Sequence, residues 1–139
     1  MNFQLTKNIL LGTMIFLLSG CAFFGGGRDF DTLGPPLLRL TSAVHGVAER
    51  PDVYGFPSGG SGEECIRLGV EDDPNLLDPF AGLVVKAKCE NKHAILLVCD
   101  ADGSKVLMED AGCTTMLDYR AEMPVRPCDF SAQVEEACR

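Results

Sequence analysis

The sequence predicts a small α+β protein, mainly β: a disulfide-stapled antiparallel meander of four or five strands followed by a C-terminal helix. Three observations predict it. Apart from Cys21, all the cysteines (Cys65, Cys89, Cys99, Cys113, Cys128 and Cys138) fall within residues 63–139. Apolar segments of strand length recur in that region between turn residues. Its last stretch places Phe130, Val134 and Cys138 at helical spacing, with Asp129 or Ser131 available to cap it.

Each element has its own signal. Residues 65–70 read as a first strand and residues 71–79 as an acidic, proline-containing loop. Over residues 82–89, Leu83, Val85, Ala87 and Cys89 share one face, while Lys86 and Lys88 lie on the other. Residues 94–99 are apolar throughout, which predicts a central strand covered on both faces. Asp102-Gly103 is a type I′ hairpin signal, with residues 105–109 as the returning strand. A further strand is expected over residues 113–119, after Ala111-Gly112, and the terminal helix over residues 130–138.

This arrangement restricts the disulfides. Cys89 and Cys99 end up at opposite ends of one hairpin, several residues at about 3.3 Å apart each, beyond the roughly 7 Å that a bridge spans. A helix over residues 130–138 separates Cys128 from Cys138 by more than about 10 Å. Six cysteines allow about fifteen pairings, and removing these two bridges leaves about ten. Cys65, Cys89 and Cys113 are expected at one end of the sheet, and Cys99 is expected to pair with Cys128 or Cys138.

Upstream, residues 21–62 read as a flexible tether interrupted by a short amphipathic helix near residues 36–49. Gly25-Gly26-Gly27 and Pro57-Ser58-Gly59-Gly60-Ser61-Gly62 supply the flexible runs. Pro35-Pro36 is expected to open the helix, whose Leu37, Leu40, Val44 and Val47 fall on one face. Residues 1–20 carry Lys7 and an apolar run from Ile9 to Leu18, then the small residues Ser19-Gly20 before Cys21. Leu18-Ser19-Gly20-Cys21 resembles the lipobox of bacterial lipoprotein signal peptides. The resemblance covers residues 1–21. It implies cleavage before Cys21 and acylation of its sulfur and new amino group. With Ala22, not Asp, after that cysteine, it further implies the outer membrane of a Gram-negative cell, facing the periplasm. Two or three acyl chains, at about 0.8 kcal/mol per buried methylene, anchor firmly.

Composition excludes some functions. Removing residues 1–20 takes away one lysine and no acid, so eleven basic residues face twenty acidic ones, a net charge of −9. Such a balance disfavours nucleic acid, whose binding rests on clustered Lys and Arg. An even cysteine count in an exported small domain reads as a disulfide framework, because its core is too small to suffice alone. No C-x-x-C or H-x-x-x-H knuckle offers a zinc site.

Nothing in the sequence assigns a catalytic residue, a metal ligand or a cofactor. His45 and His93 stand in no hydrolase motif, G-x-S-x-G is absent, and Gly59-Gly60-Ser61-Gly62 has no following lysine to make a phosphate loop. A Cys65–His93 thiol–imidazole pair would need a free cysteine, and the even count supplies none. Asp100, Asp102 and Glu109 resemble the start of an EF-hand loop, but the glycine falls at the fourth place, not the sixth. Glu71, Asp72, Asp73 and Asp78 form a second acidic cluster that a solvated loop explains equally well. The expectation is therefore a membrane-anchored envelope lipoprotein acting as a non-enzymatic protein-interaction module, as an accessory part of a secretion, conjugation or pilus assembly. The alternative is an inhibitor of a periplasmic hydrolase such as lysozyme.

Overall fold

A computed structural model describes residues 28–113, 126–131 and 138, with residues 28–30 described by their backbone alone. The segment read as a signal peptide, Cys21, and most of the strand expected over 113–119 and of the helix expected over 130–138 lie outside the described residues. Within them the protein is α+β. Helix α1 (Arg28–Glu49) is followed by the short α2 (Pro51–Tyr54), α3 (Gly62–Gly69), a 3₁₀ helix (Pro74–Phe80) and three strands. Strands β1 (Val84–Glu90), β2 (His93–Cys99) and β3 (Val106–Ala111) form an antiparallel sheet in the order β1-β2-β3.

Helix α1 begins earlier than Pro35-Pro36 suggests, and both prolines lie inside it. Proline in a helix leaves the carbonyls four residues back without donors. Here the residues four back, Asp31 and Thr32, are exposed to water, which can serve such carbonyls, while Leu33 is buried and draws the extra turns onto the body of the protein. Leu37, Leu40, Val44 and Val47 then form a fully buried stripe. Each such side chain contributes roughly 1.5–3 kcal/mol on leaving water. The helix is thus part of the same packed body as the cysteine-bearing region: its stripe meets Ala94, Leu96, Val98 and Met108 of the sheet and Cys65, Ile66 and Leu68 of α3 in one core.

The segment expected as a first strand, residues 65–70, belongs instead to α3 and the residue that caps it. Ser61 caps this helix, its Oγ accepting the Glu64 N–H at 3.1 Å, and Glu63 and Glu64 occupy the first turn, where a negative charge is favoured. Ser61-Gly62-Glu63-Glu64 has the spacing of a capping box, a signal that outweighs the strand-like look of six mostly apolar residues. Gly62 sits so tightly against the Ala87 carbonyl of β1 that no side chain fits there. The acidic loop expected over residues 71–79 largely winds into the 3₁₀ helix. Asp73 caps it by accepting the Asn75 N–H at 3.3 Å.

The hairpin β1–β2 is in the expected place, with Val84 opposite Cys99 and Glu90 opposite His93. Its turn is Asn91-Lys92, both at positive φ, as a type I′ turn requires. The Asp102-Gly103 connection is different: Gly103 alone of that pair has a positive φ, and Gly103 N–H bonds the Asp100 carbonyl within a longer loop. Asp100 accounts for the extra length. Its carboxylate accepts the N–H groups of Ser104 at 2.8 Å and Lys105 at 3.0 Å, which holds a wider turn closed.

Strand β2 is buried from Ala94 to Cys99 because both of its faces are covered. The helices cover Ala94, Leu96 and Val98. On the opposite face Ile95 and Leu97 meet Cys113, Cys128, Phe130 and Cys138. Three disulfides join these parts: Cys65–Cys89, Cys99–Cys128 and Cys113–Cys138, with Cα separations of 6.6, 5.8 and 5.6 Å. Cys89 and Cys99 lie at opposite ends of the hairpin and are not paired with each other, nor are Cys128 and Cys138. Cys113 lies at the Cys89 end, just after Gly112, whose N–H bonds the Ala94 carbonyl at 2.8 Å.

Candidate functional site

Both edges of the sheet carry other parts of the chain. At β1, Gly62 abuts the Ala87 carbonyl, and the Cys65–Cys89 bridge fixes α3 there. At the start of β3, Val106 N–H bonds the Arg126 carbonyl at 3.1 Å and Cys128 N–H bonds the Ser104 carbonyl at 3.2 Å. At these places a partner strand has no free ladder to join, so recognition by strand addition is disfavoured and a side-chain surface is the better candidate.

Such a surface lies between α3, the 3₁₀ helix and β1. Ile66, Leu77, Phe80, Leu83 and Val85 line an open apolar groove of about 390 Å³ with Glu63 at its rim. Phe80 is the floor, buried to 3 % exposure, whereas Leu77, Leu83 and Val85 are half-buried and reach the surface. The acidic residues of the adjoining turn, Glu71, Asp72, Asp73 and Asp78, are all exposed. The groove follows from α3 and the 3₁₀ helix, which bring Ile66 and Leu77 alongside Leu83, just before β1, and Val85 within it.

The six cysteines expected in a disulfide framework are all present as disulfides, so Cys65 offers no thiol to His93. The calcium-like acidic loop is turned inward on itself. Asp100 accepts from Ser104 and Lys105 as above, and Asp102 accepts the Ser104 N–H at 2.9 Å. These bonds, the Lys105 N–H foremost, hold the Asp100 carboxyl below the usual carboxylate range. Glu109, the third member of that acidic set, is not in the loop at all. It is buried on β3, where it pairs with Arg126 at 3.3 Å and accepts from the N–H of Ser131 at 2.8 Å and from its hydroxyl. Its role is to fasten residues 126–131 to the sheet.

The structure brings together two residues that the sequence separates. His45 on α1 and His93 at the start of β2 stack with ring centroids 5.6 Å apart and planes 11° from parallel. His45 Nδ1 accepts the Ala94 N–H at 3.3 Å. Burial, then the neighbouring His93, lowers the His45 pKa below its ordinary value, against a smaller opposing effect of Glu49. Nothing in the sequence signals this pair, because the contact is made by the docking of α1. Among the described residues, no group of three or more His, Cys, Asp or Glu side chains is placed to hold a metal ion.

Among the described residues no helix is long and apolar enough to cross a membrane. Comparison with protein-family models, with curated proteins and with solved structures finds nothing that matches this chain.

Proposed function

We propose that the protein is an envelope lipoprotein, lipidated at Cys21 after removal of residues 1–20, held on the periplasmic side of the outer membrane, and acting as a non-enzymatic docking module. The lipobox supports the address. The observation that carries the docking is the apolar groove of Ile66, Leu77, Phe80, Leu83 and Val85 beside exposed acidic side chains, built on a scaffold cross-linked by the Cys65–Cys89 bridge. A rigid groove loses little conformational freedom on binding, which favours affinity per unit of buried area. Its acidic surroundings select for a basic partner and repel an acidic one. The occupant is therefore a protein that presents an apolar side chain flanked by Lys or Arg, and an envelope machine for secretion, conjugation or pilus assembly is the kind of partner the address makes accessible. The finer form of the fold reading, a fourth strand over residues 113–119 and a helix over residues 130–138 completing the second layer, belongs to this proposal.

A photo-crosslinking amino acid at position 77, in living cells expressing an affinity-tagged protein, tests the proposal. The expected result is a defined set of envelope proteins joined at that position and lost when Glu63 and Asp78 are changed to lysine. A free monomer after mild detergent extraction, crosslinked to nothing, would contradict it. The same charge argument supports a second reading, inhibition of a basic periplasmic hydrolase such as lysozyme. Titrating purified protein into a lysozyme assay distinguishes the two, since absence of any slowing removes the inhibitor.

A further inference from the structure

The two histidines of the sequence meet at the place where α1 reaches the start of the central strand. Three features there are unusual together. First, the sheet register sets Ala94 beside Gly112, and Gly112 N–H bonds the Ala94 carbonyl at 2.8 Å. The Ala94 N–H, which a continued ladder would give to the Gly112 carbonyl, goes instead to His45 Nδ1 at 3.3 Å. Second, the His45 ring lies so close to Gly112 that a Cβ there would come within 2.8 Å of the ring's Cγ. Third, His93 Nδ1 is buried and has no hydrogen-bond partner among the described residues.

We propose that the stacked imidazoles of His45 and His93 form a proton-operated latch that holds the C-terminal half of α1 against the start of β2. At neutral pH the unprotonated Nδ1 of His45 accepts the Ala94 N–H. An imidazolium carries a hydrogen on both nitrogens, so a proton taken up at Nδ1 sets donor against donor and ends that bond. The His93 ring, stacked 5.6 Å away between ring centres, further disfavours a positive charge on His45. The latch holds a part of the core with no disulfide of its own: residues 28–49 contain no cysteine, whereas α3, β1 and β2 each carry a bridged one. Acidification therefore acts on a helix that no disulfide retains, and it uncovers the apolar stripe ending in Val44 and Val47 together with the sheet face beneath it.

The other charged groups around the pair are few. On α1 this is Glu49, one turn beyond His45; between α1 and α2 lies Arg50, which with Tyr54 of α2 flanks Gly46. The β1–β2 turn contributes exposed Lys92, and the end of β1 contributes exposed Glu90, opposite His93 and 3.9 Å from Lys88. On β3, Asp110 is buried on the same face of the sheet as Gly112. The sign of the effect follows from His45, whose pKa in the fold lies below its value of 6.5 in an open chain. The stabilisation is complete above that value and is lost as the pH falls from it through the lower folded pKa. The latch rests on this geometry and not on the docking proposal.

Hydrogen exchange of the full-length protein in mild detergent, corrected for intrinsic rates and compared at pH 7.5 and about pH 5, tests it, together with an NMR titration of the histidine rings. Opening at the Ala94 amide and at residues 43–49 is expected to rise severalfold at the lower pH, while the amides of Leu97 and Val98 stay protected. His45→Asn keeps an acceptor near the Nδ1 position but does not titrate, so the pH dependence is expected to vanish. His93→Phe keeps the stacked ring without its charge and is expected to move the transition to higher pH. Equal protection of Ala94 at both pH values, or an unchanged rise in His45→Asn, would overturn the latch. So would a rise abolished by Asp110→Asn and retained in His45→Asn. If His45→Asn does not fold, the wild-type titration still decides: a His45 pKa at or above 6.5 would contradict the proposal.

Discussion

The two faces of β2 are covered in different ways. On one face α1 lays an uninterrupted stripe of Leu37, Leu40, Val44 and Val47 over Ala94, Leu96 and Val98, and this helix is held without any disulfide of its own. On the other face, residues 126–131 and 138 meet Ile95 and Leu97 through short segments tied down by Cys99–Cys128, Cys113–Cys138 and the buried Glu109 carboxylate. A 22-residue helix buries enough apolar surface to stay docked by the hydrophobic effect. The described residues 126–131 are too few to do so by themselves, and the disulfide and the Glu109 carboxylate tie them to the sheet. The contrast also bears on the pH proposal, since α1 has no disulfide to keep it docked once the His45 hydrogen bond is lost.

Four substitutions would break or sharpen this contrast. The largest effect is expected at Leu40, fully buried in the α1 layer, where Leu40→Ala should cost about 2–5 kcal/mol in denaturant unfolding. Removing the Cys99–Cys128 bridge by changing both cysteines to serine should cost about 2–4 kcal/mol and act mainly on the opposite layer. Glu109→Ala leaves the Ser131 N–H without its acceptor and Arg126 without its carboxylate, and should cost about 1–3 kcal/mol by the same measurement. Arg126 is partly exposed, so water limits that loss. Ser61→Ala removes the α3 cap and should cost about 1 kcal/mol, the smallest of the four, because the Cys65–Cys89 bridge keeps α3 in place regardless.

The sheet was legible in the sequence where its physics is local. Alternation over Leu83–Cys89 and the unbroken apolar run Ala94–Cys99 specify a half-buried strand beside one buried on both faces, and the β1–β2 register follows. Placing Cys89 and Cys99 at opposite strand ends correctly ruled out their pairing. Residues 65–70 were misleading because six mostly apolar residues satisfy a strand or a helix equally, and the Ser61–Glu64 cap that decides between them lies just upstream in a glycine-rich run. Gly62 belongs to that run, yet it serves close packing on Ala87 and not flexibility. Pro35-Pro36 pointed to a helix start because proline usually sits there, but burial of Leu33 outweighs that preference. The groove beside Leu77 and the His45–His93 stack were not legible, since each joins residues that come together only when the elements dock.

That α1 is held by burial and the opposite face by staples is checked by residue-resolved hydrogen exchange of the full-length protein with Cys99 and Cys128 both changed to serine. The account predicts that the amides of Val106 and Cys128, which bond across to the opposite segment, lose their protection while those of Leu37 to Val47 in α1 retain most of theirs. Equal loss in both layers would contradict it, because the two faces would then be a single unit with the bridge supporting both.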